Sequence, residues 1–478
     1  MALAGRGYAL TGAEVEAAVG SLARRLLDAG LREGDRVAWW LLKTKAACLL
    51  PLAAARAGLF GVPVNPLLKR AQVAHILADS GARLLIGDSA RLATLEGDDQ
   101  GAASLLEEGA IEDAADPLPP SNRDADEVTQ ILYTSGSTGR PKGVVLTHRN
   151  LMLAAESVRY FVGLTEEDRA LCVLPLSFDY GQNGLFSAWL AGGSAVALDY
   201  LLPGDVVKAV ARHEATVLAG VPPLWSQLVR AEWSDGAGAT LRALTNSGGA
   251  LPLSVIRSLR ERFPDADLHL MYGLTEAFRA TSLDPTLVDE HPTSVGTAIP
   301  FAEVTVVRPD GSECDAGEPG ELVQTGPLVA QGYWRDTVRT AERYRPAPPA
   351  ATLGGTAVWS GDTMVRDDAG RLAFVARTDS MIKVSGTRVS PTEVEEAALA
   401  SGEVIDVVAF GVPDVGKGAV VRLVASGEGE GWPDRVMRHL KRETPAYMWP
   451  DRIVALVELP RSPNGKLDRS ALVREHGA

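Results

Sequence analysis

Cysteine is scarce in this sequence, which has three cysteines in 478 residues and no Cys-x-x-Cys pair. Cys48, Cys172 and Cys314 are too far apart to suggest a disulfide framework, so we expect a reduced, cytoplasmic chain. Long apolar runs are absent as well, and the N-terminus lacks a basic stretch followed by an apolar stretch and a cleavage site. We therefore expect neither a membrane partner nor a signal peptide.

Basic residues are outnumbered by acidic ones. There are 47 Lys and Arg against 61 Asp and Glu, a net charge of −14. A protein that binds nucleic acid needs a basic surface to neutralise phosphates, so we expect no nucleic-acid partner. The charge does not exclude a nucleotide, because a single nucleotide needs only a few local donors.

The composition is otherwise that of a globular protein, with 46% hydrophobic and 23% charged residues. A chain of 478 residues exceeds what one hydrophobic core usually organises, so two or more domains are expected. The 48 Gly and 29 Pro indicate many tight connections rather than disorder, because the apolar fraction stays high.

Helices and short apolar strands alternate near the N-terminus. Thr11 and Glu14, three residues apart before an apolar-periodic stretch, predict a capping-box helix that runs to Ala29 and ends at Gly30. The run RVAWWLL (36–42) predicts a buried strand, and the segment AACLLPLAAARAG that follows it predicts a second helix. Such alternation indicates α/β layers.

The pattern changes three times along the rest of the chain. Residues 95–127 are acidic and contain scattered Pro and Gly, which predicts a solvated surface connection. Strand–helix alternation returns over 170–300, and short strands with turns over 301–375 predict a small β subdomain. The residues after 380 predict a compact α+β domain.

The sharpest local signal is the segment YTSGSTGRPKG (133–143), which follows the predicted strand VTQIL. Its glycines let the backbone approach an anion, and hydroxyls and an ammonium add donors, so the loop suits a polyphosphate. It is not a Walker A loop, because Pro141 stands where that loop has a glycine followed by lysine. A Ser/Gly-rich turn without a ligand is the alternative interpretation.

This segment resembles the phosphate loop of the adenylate-forming superfamily, which contains acyl-CoA synthetases, peptide-synthetase adenylation domains and firefly luciferase. The resemblance continues in the same order through nearly the whole chain. The further motifs are NSGGA (246–250), MYGLTEA (271–277), GELVQTG (320–326) before WSGD (359–362), ARTDSMIKVSGTRVSPTEVEE (376–396) and PNGKLDR (463–469). Six ordered motifs are far more specific than any one of them.

The resemblance implies an α/β fold with two domains. Residues 1–378 would form an N-terminal adenylation core of two α/β layered subdomains plus a small β subdomain, and residues 379–478 a small mobile α+β domain. Asp379 would be the hinge about which the small domain rotates between adenylation and thiol transfer. One departure is Ala376, where the family usually has glycine, since alanine has less freedom at positive φ.

Catalytic roles also follow from the resemblance. Lys466 would contact both the attacking carboxylate and the α-phosphate, Thr275 would contact phosphate, and Glu276 would bind Mg²⁺. Tyr272 would stack on adenine and Asp362 would hold the ribose hydroxyls. The full set of implied ATP contacts is Thr134, Ser135, Gly136, Ser137, Thr138, Gly139, Lys142, Gly248, Gly249, Ala250, Tyr272, Gly273, Asp362 and Arg377.

The segment LPLSFDYGQNG (174–184) lies where the family places the acyl pocket. In amino-acid-activating members an Asp after an aromatic residue pairs with the substrate ammonium, and Phe178-Asp179 fits that position. Arg279 also maps to the pocket, where it could pair with Asp179 or hold a second polar group of the substrate. The implied pocket residues are Phe178, Asp179, Asn183, Gly220, Thr245, Ser247, Met271, Arg279 and Ala280.

The predicted function is that of an AMP-forming ligase. It would use ATP and Mg²⁺ to activate a small carboxylic acid, with an amino acid favoured, and would load a phosphopantetheine thiol of a separate acyl or peptidyl carrier protein or of coenzyme A. A fatty- or aryl-acid acyl-CoA synthetase is the main alternative, since several motifs also resemble bacterial exosortase-associated acyl-CoA ligases. A phosphotransferase that releases ADP and a non-catalytic nucleotide-binding protein are more distant alternatives.

Overall fold

The computed structural model describes residues 1–111, 116–134, 141–377, 382–384, 387–414 and 418–477, without the side chains of residues 376, 377, 383, 387, 388 and 418. The strands in this part of the chain are β1 Leu3–Gly5, β2 Tyr8–Leu10, β3 Arg36–Trp40, β4 Phe60–Pro63, β5 Leu84–Gly87, β6 Ser104–Glu107, β7 Val128–Thr134, β8 Lys142–Thr147, β9 Arg169–Cys172, β10 Ser194–Ala197, β11 Val217–Gly220, β12 Ala243–Asn246, β13 Asp267–Tyr272, β14 Thr281–Ser282, β15 Ser294–Ala298, β16 Glu303–Val307, β17 Pro319–Thr325, β18 Tyr344–Pro346, β19 Thr356–Arg366, β20 Leu372–Arg377, β21 Ile382–Val384, β22 Thr387–Val389, β23 Val404–Asp414, β24 Gly418–Gly427 and β25 Pro450–Ala455.

Helices connect most of these strands. The α-helices of the described residues are α1 Gly12–Asp28, α2 Lys45–Arg56, α3 Arg70–Ser80, α4 Ser89–Leu92, α5 His148–Phe161, α6 Asp179–Leu190, α7 Pro203–His213, α8 Pro222–Leu228, α9 Leu253–Arg262, α10 Thr337–Arg343, α11 Pro391–Leu399, α12 Trp432–Glu443 and α13 Arg469–His476. Among these helices, none combines the length and the apolar character that a membrane crossing requires.

The described strands form three sheets. The first has the order β6-β5-β3-β4-β7-β8 and is parallel except for the β7–β8 hairpin. The second follows the path β16-β17-β19-β20-β15-β14-β13-β12-β11-β9-β10-β1-β2 and is parallel from β13 to β1. The third, of β21 to β25, belongs to the C-terminal part. The prediction of an α/β fold with a large N-terminal and a small C-terminal domain is confirmed; the boundary at 378/379 stays a prediction.

The strands predicted as a separate β subdomain over 301–375 are antiparallel, but they continue the second sheet. β14 pairs with β13, β15 pairs with β14, and β20 pairs with β15, so backbone hydrogen bonds run without interruption from the parallel part into β16–β20. The subdomain is therefore anchored to the strands that precede it.

The first two sheets share a core. Side chains of α1 and α2 pack with Trp39 of the first sheet and with Cys172 and Ala195 of the second. Within this core Leu50 is completely buried. Because helices on both faces of parallel strands bury each strand on two sides, such strands are apolar throughout, as the run at 36–42 predicted.

Local end signals set α1. Glu14 N–H donates to Thr11 Oγ1 at 3.3 Å, and Thr11 N–H donates to Glu14 Oε2 at 2.7 Å, which is the predicted capping box. The helix ends at Asp28, and Gly30 follows with φ of 88°. The predictions of this helix, of the strand now seen as β3 and of α2 are confirmed.

The prediction of a solvated connection over 95–127 is wrong for its middle part. β6, Ser104–Glu107, pairs in parallel with β5 at the edge of the first sheet, and its neighbours Ala103 and Ile111 are buried. An edge strand obtains its order from backbone hydrogen bonds on one side, so exposed polar side chains do not prevent it from forming.

Candidate active site

The predicted site residues gather at one edge of the second sheet. β11, β12 and β13 are parallel neighbours that end at Gly220, Asn246 and Tyr272, and α6 begins nearby at Asp179. In parallel sheets with helical crossovers, ligands bind outside the carboxyl ends of the strands. Four segments, the ends of β11, β12 and β13 and the start of α6, therefore contribute to a single cleft.

Lys142, Glu276 and Tyr333 form a hydrogen-bonded cluster at this cleft. Lys142 Nζ donates to Glu276 Oε1 at 3.0 Å and to the Tyr333 hydroxyl at 2.5 Å, and the hydroxyl donates to the same Oε1 at 2.6 Å. The ammonium also lies 4.1 Å from the centroid of the Tyr333 ring. Lys142 and Glu276 were predicted, but Tyr333 was missed because its segment, QGYW, lies outside the six motifs.

The carboxylate of Glu276 is ionised despite its burial. The side chain is only 6% exposed, and burial by itself raises its pKa. The charges of Lys142 and Arg343 and the hydrogen bonds from Tyr333 and Lys142 outweigh burial, so the pKa of Glu276 lies below its usual range. Glu276 is therefore a buried anion at neutral pH, and its Oε1 already accepts hydrogen bonds from Lys142 and Tyr333.

The hairpin of β7 and β8 brackets the predicted phosphate loop. Thr134 ends β7, Lys142 begins β8, and the two are register partners. The Thr134 hydroxyl is buried and has no hydrogen-bond partner among the described residues, so it is available to donate to a ligand. The loop residues between them that were predicted to bind phosphate lie outside the described residues: Ser135, Gly136, Ser137, Thr138 and Gly139.

The predicted nucleotide residues of β12, β13 and β19 lie around the same cleft. Asn246 Nδ2 donates to Gly249 O at 3.0 Å and so closes the turn that contains Gly248. Tyr272 donates its hydroxyl proton to Asp362 Oδ2 at 2.5 Å, and Asp362 is 4% exposed. This contact brings the predicted adenine-side and ribose-side residues together.

Three further predicted residues differ in how they are placed. Gly273 has no room for a side chain, because an added Cβ would lie 2.7 Å from Phe278 O and 2.8 Å from Arg279 Cα. Ala250, which follows the turn, is exposed. Arg377 is the register partner of Asp362 in β20, but its side chain, like the whole of Asp379, lies outside the described part of the chain.

Lys466 reaches the cleft from the C-terminal part of the chain. It sits in a turn in which Ser462 N–H donates to Lys466 O at 2.6 Å and Gly465 has φ of 79°. A Cβ on Gly248 would lie 2.7 Å from Lys466 Cε and 3.1 Å from its Nζ, and Nζ is 5.1 Å from the centroid of the Phe178 ring. The ammonium is thus placed between the turn after β12 and the start of α6.

Asp179 and Arg279 are both buried in the predicted acyl pocket. Asp179 is 6% exposed, and its Oδ1 accepts a hydrogen bond from Thr275 Oγ1 at 3.2 Å. Burial raises the pKa of Asp179, although the charges of Arg279 and Lys466 and the hydrogen bond from Thr275 oppose the rise. Thr275, for which the resemblance implied a phosphate contact, here donates to a carboxylate.

Arg279 forms no ion pair with Asp179, so the direct pairing left open by the sequence is not formed. Its guanidinium carbon lies 4.3 Å from the centroid of the Tyr180 ring, and Nη1 donates to Met271 Sδ at 3.5 Å. Tyr180, which was also missed, is fixed because its hydroxyl donates to Thr245 O at 2.7 Å. Tyr180 is the residue after Asp179, with which α6 begins, and this adjacency is the sequence feature that could have identified Tyr180 as a pocket residue.

The remaining predicted pocket residues divide into two groups. Asn183 and Ser247 are buried near the strand ends, and a Cβ on Gly220 would lie 2.6 Å from the Trp225 ring, so no larger residue fits there. Ala280 is completely buried with Leu322 and Met364 in a separate apolar cluster.

The donor set is suited to Mg²⁺ held mainly by a nucleotide. Within the described residues, no three His, Cys, Asp or Glu side chains gather as a metal site, so Glu276 would be a solitary carboxylate ligand. Mg²⁺ usually takes one or two carboxylates and completes its shell with phosphate oxygens and water. The ionised Glu276 and the unpartnered Thr134 hydroxyl therefore fit magnesium with a polyphosphate.

Comparison with protein families agrees with this architecture. The family model for AMP-binding enzymes matches residues 1–334, and that for the AMP-binding enzyme C-terminal domain matches residues 393–466. The chain belongs to the AMP-binding enzyme family, and the predicted membership of the adenylate-forming superfamily is confirmed.

Several named relatives align with nearly the whole chain. A feruloyl-CoA synthase of Amycolatopsis sp is 32% identical over 98% of this chain and 95% of its own. An L-proline–[L-prolyl-carrier protein] ligase of Pseudomonas fluorescens is 30% identical over 93% of this chain and 90% of its own. The Bacillus subtilis o-succinylbenzoate-CoA synthetase in complex with ATP and magnesium superimposes with a TM-score of 0.87 and 26% identity, covering 98% of this chain and 96% of its own. The chain is an AMP-forming ligase, as predicted.

We predict that Gly248→Ala slows adenylation because the new Cβ displaces Lys466. The position has φ of 85°, so alanine also costs about 1–2 kcal/mol in backbone strain. Gly236→Ala is the matched control, since Gly236 has φ of 78° with no heavy atom within 4 Å of an added Cβ. Both variants should lose similar thermal stability, and only Gly248→Ala should reduce ATP–pyrophosphate exchange. Equal exchange rates in the two variants would contradict the placement of Lys466.

Proposed function

We propose that this protein uses ATP and Mg²⁺ to activate a small, amino-bearing carboxylic acid as its acyl-adenylate, and then transfers the acyl group to a phosphopantetheine thiol. The observation that carries the proposal is the convergence of Lys142, Glu276 and Lys466 on one cleft from three distant parts of the chain. ATP-bound and magnesium-bound relatives support the choice of cosubstrate.

The first half-reaction replaces a poor leaving group with a good one. A carboxylate oxygen of the substrate forms a bond to the α-phosphorus while the bond to the pyrophosphate oxygen breaks. Lys466 would neutralise the charge shared by the attacking carboxylate and the α-phosphate, and Lys142 would stabilise the departing phosphates. Magnesium, when bound at Glu276, would supply additional positive charge to the phosphates.

Lys142 is held ready for this role by its neighbours. Its hydrogen bonds to Glu276 and Tyr333 fix the ammonium at the start of β8, directly after the predicted phosphate loop. Because preorganised charges need not reorient as the reaction proceeds, they lower the barrier more than mobile ones do. We therefore assign Tyr333 a positioning role towards Lys142 and Glu276.

The amino group of the substrate would bind Asp179. A buried carboxylate without a cationic partner is costly, and a substrate ammonium would supply that partner. Asp179 accepts hydrogen bonds from the Thr275 hydroxyl and the Tyr180 backbone and forms no ion pair within the described residues, so it can accept an ammonium. The prolyl-carrier protein ligase among the relatives supports an amino acid.

The second half-reaction would need a different arrangement. The thiol sulfur forms a bond to the acyl carbon, and AMP leaves with the bonding electrons. Lys466 occupies the cleft in the present arrangement, so a rotation about the implied hinge at Asp379 would withdraw it and admit the thiol. The thiol would belong to coenzyme A or to a separate carrier protein.

An aryl acid is the second candidate substrate class. The feruloyl-CoA synthase supports it, and the rings of Phe178 and Tyr180, with centroids 6.2 Å apart at the pocket, could contact an aromatic acid. The buried carboxylate of Asp179 has no evident use for a plain aryl acid, which is why we favour an amino-bearing substrate.

Replacement of Lys466 tests the proposed chemistry. Lys466→Ala should reduce acid-dependent ATP–pyrophosphate exchange by about 10²–10³, the usual loss for one positioned donor, with little change in the Kd for ATP measured by calorimetry. Lys208→Ala, at an exposed position of α7, is the control and should exchange at the wild-type rate. Exchange by Lys466→Ala at the wild-type rate would refute the assigned role.

Replacement of Asp179 tests the amino-acid specificity. Asp179→Asn should raise the KM for the amino acid roughly 10–100-fold, because a charge-assisted hydrogen bond is lost, and leave the KM for the corresponding deaminated acid unchanged. The raised pKa of Asp179 adds a pH signature. Its ionised form binds the ammonium, so the wild-type KM should rise as pH falls through that pKa, above the usual value of 3.8, and the variant should lack this rise. An equal effect on both acids would exclude an ammonium contact.

A further inference from the structure

Arg279 is a buried cation that forms no ion pair with any of the described residues, although the charge of Asp179 acts on it from nearby. Its side chain is 3% exposed, Nε has no hydrogen-bond partner, and the only donor contact described is the one to Met271 Sδ. Thioether sulfur is a weak acceptor, and the face of the Tyr180 ring compensates a buried charge only in part. An arginine taken out of water is usually paired directly with a carboxylate or phosphate, and Asp179, which acts on Arg279 without forming an ion pair, does not take that place. The pocket therefore lacks a directly paired anion.

The backbone holds Arg279 firmly in this position. Gln324 Nε2 donates to Arg279 O at 2.8 Å and to Ala277 O at 3.0 Å, both within the protein interior. Phe278, between them, has φ of 65°, a conformation that costs a non-glycine residue about 1–3 kcal/mol and is maintained when surrounding structure demands it. These features fix the backbone from which the guanidinium extends into the pocket.

A second donor in the pocket is also unused. The side-chain nitrogen Nδ2 of Asn183, one turn into α6 from Asp179, is buried and has no hydrogen-bond partner in the described part of the chain. The pocket consequently offers Asp179 as an acceptor for a cation, and Arg279 and Asn183 as donors for an anion. Lys466 lies beside Phe178 and is assigned to the carboxylate that reacts.

We propose that Arg279 binds a second carboxylate of the substrate, which makes the substrate a small amino dicarboxylic acid. This inference rests on the proposed function, because it concerns the acid that is activated. The ammonium would bind Asp179, one carboxylate would face Lys466, and the other would pair with Arg279. Bidentate pairing suits a planar guanidinium and would supply the missing anion in a water-poor pocket.

Pairs of isosteric acids test this inference with the wild-type protein. ATP–pyrophosphate exchange is measured with L-aspartate, D-aspartate and L-glutamate, each against its side-chain amide, and with neutral amino, aryl and fatty acids. At least one dicarboxylic acid should have a kcat/KM on the order of 10² times that of its amide, because the amide leaves a buried charge unpaired. Amides or neutral acids that react as well as the dicarboxylic acids would overturn the inference.

Arg279→Met supplies the matched test from the protein side. Arg279→Met should remove the preference for the dicarboxylic acid over its amide, mainly by raising the KM for the acid. Arg279→Lys should restore part of this preference. An unchanged preference in Arg279→Met would also overturn the inference. Thermal unfolding shows whether the variants fold. If they do not, the comparison of acid with amide in the wild-type protein still tests the inference. Activity with neutral amino acids alone would leave the proposed function intact, whereas silence with every acid would remove both.

Independently, Asn65 connects the loop after β4 to the turn that carries Lys466. Asn65 Nδ2 donates to Pro463 O at 3.0 Å and to Asn464 Oδ1 at 2.8 Å, while its own Oδ1 accepts from Leu67 N–H at 2.9 Å. Asn65 is buried, so these bonds are shielded from water. We infer that Asn65 is a positioning residue that holds Lys466 in the arrangement used for adenylation.

The half-reactions separate this role from a general structural one. Asn65→Ala should slow adenylation roughly 10-fold, the value of one to two lost hydrogen bonds, and leave thioester formation from supplied acyl-adenylate at the wild-type rate. Because Asn65 acts through Lys466, the double variant Asn65→Ala/Lys466→Ala should be no slower than Lys466→Ala alone. Multiplicative losses in the double variant, or equal slowing of both half-reactions, would overturn this inference.

Discussion

The close approach of Lys466 to the turn after β12 is the contact on which the proposed chemistry depends. It joins two domains that have separate cores and separate sheets. A single lysine on a turn has little order of its own. Its position at the cleft is set by polar contacts of the preceding turn residues, above all those with Asn65. In the proposed mechanism, adenylation therefore depends on how the two domains are arranged, and a rotation of the C-terminal domain would switch it off.

Charge balance explains the interior of the cleft. Lys142 and Glu276 neutralise each other, and Tyr333 bridges them, so this cluster is stable without a ligand. Asp179 and Arg279 are different, because each is buried near the other without direct contact. The first cluster keeps its charges balanced and in place, which suits the role that we propose for it beside the phosphates. The second leaves two opposite charges without a direct ion pair, which is the reason for proposing a zwitterionic substrate.

Features that depend on neighbours in the chain were predictable from the sequence. The capping box of Thr11 and Glu14 spans three residues, and helix α1 begins where it predicts. The alternation of apolar strands and helices likewise predicted the α/β layers. Composition was misleading at Ser104–Glu107, where an edge strand forms in an acidic segment because backbone hydrogen bonding does not depend on side-chain polarity.

Long-range contacts were beyond such reasoning. Lys142 and Tyr333 are 191 residues apart, and Asn65 and Pro463 are 398 apart, so no periodicity or spacing links them. The sequence alone determined the chemical groups available: a glycine-rich segment followed by a lysine, a carboxylate that we propose binds magnesium, and an ammonium near the C-terminus. Only the tertiary structure decided which charges neutralise one another and which remain for a substrate. The physical reason is that pairing requires contact within a few ångströms, and contact between distant segments is created by the packing of sheets and domains.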